Sequence, residues 1–80
     1  MKTYNGHKNW NHWNVSLWLN NDYQLYKSML SFVRATKNKD KAARAFLYAL
    51  KSGDYGVRIE KTPDGAPYSF SSIRAAMRDM

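Results

Sequence analysis

Between Asn20 and Gly53 the apolar residues recur at helical spacing, and this constrains the fold more than any other feature of the chain. Leu25, Tyr26, Met29, Phe32 and Val33 share one face of a helix expected over about 22–35, with Leu30 and Tyr23 at its edge. Lys27, Ser31 and Arg34 lie on the other face. Asn20-Asn21-Asp22 supplies a breaker and an N-cap before it. A basic joint follows, RATKNKDKAAR at 34–44, with five cationic residues and one acidic. Asn38 is placed to cap a third helix and Gly53 to stop it, with Ala43, Phe46, Leu47 and Leu50 facing inward.

The flanking segments are read from this pair. Upstream, NWNHWNVSLWLNND at 9–22 predicts a first helix over about 10–19 capped by Asn9. Trp10, Trp13 and Leu17 project together, Trp18, Val15 and Leu19 lie further round, and only His12, Ser16 and Asn20 make a polar wedge. Such a helix is expected to be central, with Trp10, Trp13 and Leu17 buried. Asn14 and Asn21 fall inside the apolar arc, so they are expected to be hydrogen-bonded or to mark a contact surface. Trp18 projects away from the other two tryptophans and suits an interface anchor.

Downstream the period changes. Val57 and Ile59 alternate with Arg58 and Glu60, Pro63-Asp64-Gly65 supplies a turn, and Tyr68 alternates with Phe70. This predicts a short β-hairpin; the alternative is an ordered loop that packs Tyr68 on the helices. Ser69 or Ser71 then caps a last helix with Ile73, Ala76, Met77 and Met80 inward and Arg74 and Arg78 outward. The expected fold is a single domain over 1–80, mainly α with an α+β element: three or four short helices around one aromatic core, with a small hairpin before the last.

Composition narrows the function classes. The chain has no cysteine, which excludes disulfides and thiol catalysis. No stretch is apolar enough for a signal-peptide core or a membrane span, so a soluble protein is expected to stay in the compartment where it is made. Thirteen Lys and Arg against six Asp and Glu leave a net charge of +7, which favours an anionic partner. Membrane-surface binding is disfavoured because the cationic faces lack an exposed apolar flank.

No Gly-x-Ser-x-Gly, Cys-His pair or phosphate-cradling glycine loop appears, so no enzyme is expected. His7 and His12 stand about 140° apart on a helix, and a structural zinc site needs more ligands, so no metal or other cofactor is expected. The sharpest binding feature is a stripe on the third helix: Lys41, Arg44, Tyr48 and Lys51, spaced three, four and three apart. Cations there would neutralise phosphates while the tyrosine stacks on a base; the same face would suit a carboxylate-lined protein surface. Lys37 and Lys39 in the joint, with Arg74 and Arg78 on the last helix, are candidate supports.

The segment YNGHKNWNHWNVSLWLNNDYQLY resembles a group of small proteins of bacteriophages and other mobile elements. These open on Asn-(Trp/Tyr)-x-x-Trp-x-Val-x-Leu, close that motif on Asn-Asp, and often continue with Leu-Tyr. The matching residues here are Asn9, Trp10, Trp13, Val15, Leu17, Trp18, Asn21, Asp22, Leu25 and Tyr26. The tail TPDGAPYSFSSIRAAMRDM is similar to how many of them end. The resemblance implies a setting, the cytoplasm of a bacterial host, and a role against host defence such as inhibition of a CRISPR effector; it carries over no catalytic residues. The expected protein is thus a steric inhibitor, monomer or homodimer, that docks on a host protein or ribonucleoprotein complex with an acidic surface. The alternatives are direct DNA or RNA binding, or a structural or assembly role in a phage particle. Trp18 or Met80 would sit at any two-fold contact.

Overall fold

The structure, a computed structural model, describes residues 9–78. The readings of His7 and Met80 lie outside the described residues. The protein is mainly helical, with α1 (Trp10–Asn21), α2 (Tyr23–Thr36), α3 (Lys39–Ser52) and α4 (Phe70–Ala76). Each helix starts where a polar side chain accepts from an N–H that the first turn leaves without a partner. Asn9 accepts from His12, Asp22 from Leu25, Asn38 from Lys41 and Ser69 from Ser72. The Ser72 hydroxyl in turn accepts from the Ser69 N–H at 3.0 Å, which closes a capping box.

The helix ends differ in cost. Gly53 ends α3 at φ 80°, where glycine is unstrained. Lys37 ends α2 at φ 57°, the one described non-glycine residue in the left-handed region. The Thr36 hydroxyl steadies that joint, donating to the Asn38 carbonyl and accepting from the Asn38 N–H.

The helices pack in a ring: α1 on α2, α2 on α3, α3 on α4 and α4 back on α1. Phe46 fills its middle, fully buried, with the Phe32 ring at 5.8 Å and the Tyr55 ring edge-on at 6.4 Å. Leu25 and Met29 from α2, Ala43 and Leu50 from α3, Ile73 from α4 and Met77 at its C-cap close around it. These inner faces of α2, α3 and α4 follow the periodicity of the sequence.

α1 does not follow its expected face. Its buried residues are Asn14, Val15 and Leu19; Trp10 is 39% exposed, and Trp13 and Leu17 are only half-buried. The arc through Trp10, Trp13 and Leu17 is the flank of the helix and not its inner face. A helix apolar around most of its circumference carries no pointer inward, and here buried hydrogen bonds to Asn14 select the face.

The segment between α3 and α4 also departs from expectation. No strand forms among the described residues; the chain makes one isolated antiparallel bridge, Lys61 to Pro67, around the Pro63-Asp64-Gly65 turn. Two bonds cross between the arms, from the Tyr68 N–H to the Glu60 carbonyl and from the Thr62 N–H to the Ala66 carbonyl, and the return bond at the second pair is lost because the Ala66 N–H goes to the Thr62 hydroxyl. Val57 is 66% exposed where an inward position would have been buried. The segment is an ordered loop, and Tyr68, 3% exposed, is its plug in the core.

Candidate binding surfaces

The outer face of α3 is set by what its inner face must bury. With Ala42, Ala43, Phe46, Ala49 and Leu50 turned inward, Lys41, Arg44, Tyr48 and Lys51 fall within about 80° of arc on the opposite side. All four are exposed, Tyr48 to 74%. An aromatic ring this open beside three cations has no packing role in the monomer.

The supporting cations are arranged by the antiparallel seam of α3 and α4. The Arg44 guanidinium lies over the Phe70 ring, 5.1 Å from its centroid. Arg74 Nε meets Asp40 Oδ1 at 2.7 Å, and Lys39 Nζ donates to the Arg78 carbonyl at 2.9 Å. Folding therefore brings Arg74 and Arg78 alongside the start of the α3 stripe. Arg74 and Lys39 also tie the two helices together, so they do not act as cations alone. Lys37 is exposed at the α2–α3 joint.

Trp18 belongs elsewhere. It is half-buried on α1, which does not touch α3, and its indole N–H donates to Asp64 Oδ2 at 2.9 Å. The Asn14 amide donates to the same oxygen at 2.9 Å, and the Asn14 carbonyl accepts from the Thr62 hydroxyl at 2.6 Å. These bonds clamp the 62–66 turn onto α1. Asn14 and then Trp18 hold the Asp64 carboxyl below its usual value, outweighing the small cost of desolvation. The sequence hinted at Asn14 through its place in an apolar arc; Asp64 carried only a turn signal, and Thr62 none.

Beside the clamp lies an open cleft of about 410 Å³, walled by Trp18, Leu25, Ile59, Pro63 and Tyr68, with Asn21, Asp22 and Lys61 at its polar parts. Burial first, and then the Asp22 carboxylate, push the Tyr68 hydroxyl up to about 12. A second surface bond joins His12 Nε2 and Ser71 Oγ at 3.2 Å and ties α1 to α4. Among the described residues no three His, Cys, Asp or Glu side chains converge as metal ligands, and no helix is long and apolar enough to cross a membrane.

Fold and surfaces together define a small basic helical domain with an open cationic face and a separate cleft. The chain matches over residues 1–80 a family of unknown function, DUF7249, and belongs to it. No curated protein and no solved structure matches the chain.

Proposed function

We propose that this protein is a non-enzymatic inhibitor of phage origin that acts in the cytoplasm of a bacterial host. It docks through the outer face of α3 on an acidic surface of a nucleic-acid-processing defence complex, of which a CRISPR effector is the most concrete version. The observation that carries this reading is the exposed Tyr48 set among Lys41, Arg44 and Lys51, with the cations of the α3–α4 seam beside it. Inhibition is steric: the docked domain covers the surface that nucleic acid or a nuclease subunit needs. Cations give such an interface its on-rate and register, and the aromatic gives it an anchor.

The same open tyrosine between cations favours a second reading, direct binding of single-stranded nucleic acid by stacking and phosphate neutralisation. One paired experiment separates the two. Labelled duplex DNA, single-stranded DNA and RNA are titrated across a salt series, and purified effector complexes are assayed for target binding with and without the protein. The inhibitor reading expects a block of effector binding that Lys41→Glu/Arg44→Glu removes, and no retardation of naked nucleic acid at moderate salt. Retardation with a log–log salt slope near −0.9 per phosphate contacted on duplex DNA, lost in the same variant, replaces it with direct binding.

A further inference from the structure

We propose that the cleft between the α1–α2 corner and the 59–68 loop is a receptor for an arginine side chain presented by a protein partner. It is a different surface from the α3 face, since α1 and α3 do not touch. Its volume, about 410 Å³, lies within the range of built ligand sites and exceeds what one side chain needs.

The polar groups select the ligand. Tyr68 is 3% exposed, yet its hydroxyl has no hydrogen-bond partner among the described residues. In the wall of an open cleft, such a hydroxyl is left to water and is available to a ligand. Tyr68 and Asp22 line the same cleft, and the Asp22 carboxylate acts on that hydroxyl electrostatically. Asp22 spends Oδ1 on the Leu25 N–H and leaves its second oxygen without a partner among the described residues. Both positions accept hydrogen bonds. An incoming anion would face the Asp22 charge, and a purely apolar group would leave both acceptors unmet.

Local charge points the same way. The charged groups of the lining are Asp22 and Lys61, and Asp64 meets the Trp18 indole beside it, so the cleft lacks the cationic excess of a chain of net charge +7. Lys61 is exposed, and its long stem lets the ammonium stay in water. At physiological salt exposed charges are screened beyond about 8 Å, so the Asp22 carboxylate in the wall acts on a group in the cleft ahead of more distant cations. The walls complete the case. Trp18 offers an indole face, and Leu25, Ile59 and Pro63 suit an aliphatic stem. A guanidinium combines a planar donor fork for Asp22 and Tyr68 with a face that stacks on an indole.

The test uses the full chain and a blocked tripeptide, acetyl-Gly-Arg-Gly-amide, with the isosteric citrulline peptide as the neutral control. Nuclear magnetic resonance follows the Trp18 indole N–H and the methyls of Leu25 and Ile59. Saturable shifts at these three residues are expected, with citrulline binding about tenfold weaker because the charge-assisted bonds are lost. Asp22→Asn keeps an equivalent cap for α2, so the fold is retained, and it is expected to lose about tenfold in affinity for the arginine peptide. Tyr68→Phe, which keeps the ring in the core, is expected to lose several-fold. Lys41→Glu/Arg44→Glu is expected to bind the peptide unchanged, which separates this cleft from the α3 reading. No saturable shift at the cleft, equal binding of citrulline, or unchanged binding by Asp22→Asn would each overturn the proposal.

Discussion

Replacing Asn14 with alanine tests whether a polar clamp, and not the tryptophans, fixes α1 in place. Asn14 is 1% exposed and Thr62 4%, and the 2.6 Å bond between them is buried at both ends. Alanine leaves the Thr62 hydroxyl without its acceptor, at a cost of about 1–3 kcal/mol. At the exposed Asp64 end water takes the place of the lost amide donor. A loss near 2 kcal/mol is a large share of the roughly 4–12 kcal/mol that stabilises a domain of this size. It corresponds to a fall in Tm of about 8–16 °C. Thermal and urea unfolding, followed by far-ultraviolet circular dichroism, would measure it in Asn14→Ala, Thr62→Val and the double variant. A coupling energy of at least about 1 kcal/mol is expected, because either single change already breaks the shared bond. If the two single losses add to within about 0.5 kcal/mol, the clamp holds no shared energy and the reasoning fails.

Three further outcomes follow from local features. The Asp64 carboxyl is held below its free value of 3.8, so its contribution to stability is present above about pH 4 and is lost as pH falls through the lowered native value. Asp64→Asn should flatten the acid limb of the urea midpoint plotted against pH, and an unchanged limb would contradict the bond pattern. Tyr68 behaves in the opposite sense: its hydroxyl is raised from 10.0 to about 12, so the native state keeps the proton after the unfolded chain has lost it. Stability should fall as pH rises from about 10 towards 12, and Tyr68→Phe should remove that slope; a slope that survives the substitution assigns it to another group. Lys37 holds a left-handed φ of 57° without being glycine, so Lys37→Gly should raise stability by about 0.5–1 kcal/mol, seen as a higher urea midpoint at unchanged m-value. A lower midpoint would show that the lysine side chain does more there than cap a helix.

What could be read from the sequence depended on contrast between faces. α2 and α3 each carry a polar side and an apolar side, and their caps Asp22, Asn38 and Gly53 are residues whose chemistry allows few other uses. α1 lacks that contrast, and its inner face is chosen by a bond from Asn14 to a residue 48 positions away. The hairpin failed for a similar reason. Alternation at Val57 and Ile59 suits a strand and a half-buried loop equally, and the Thr62 hydroxyl decided between them by taking the Ala66 N–H. Of the candidate surfaces, the α3 stripe is local and its spacing was enough. The Arg74–Asp40 pair spans 34 positions, and the cleft joins the 18–25 region to the 59–68 loop; neither leaves a mark on either segment alone.

The distance that hid the clamp from the sequence also places it late in time. α2 and α3 are joined through two residues and can pair at little entropic cost, whereas joining Asn14 to Thr62 closes a loop of 48 residues. Chain closure over that span costs on the order of 3 kcal/mol beyond a constant. That cost favours crossing the folding barrier with α2 and α3 together and the clamp still open, and φ-values near zero are expected at Asn14 and Thr62. Loss of about 2 kcal/mol there leaves the folding rate alone and speeds unfolding roughly thirtyfold. The three polar side chains at the α1 corner set how long the molecule stays folded more than how fast it gets there.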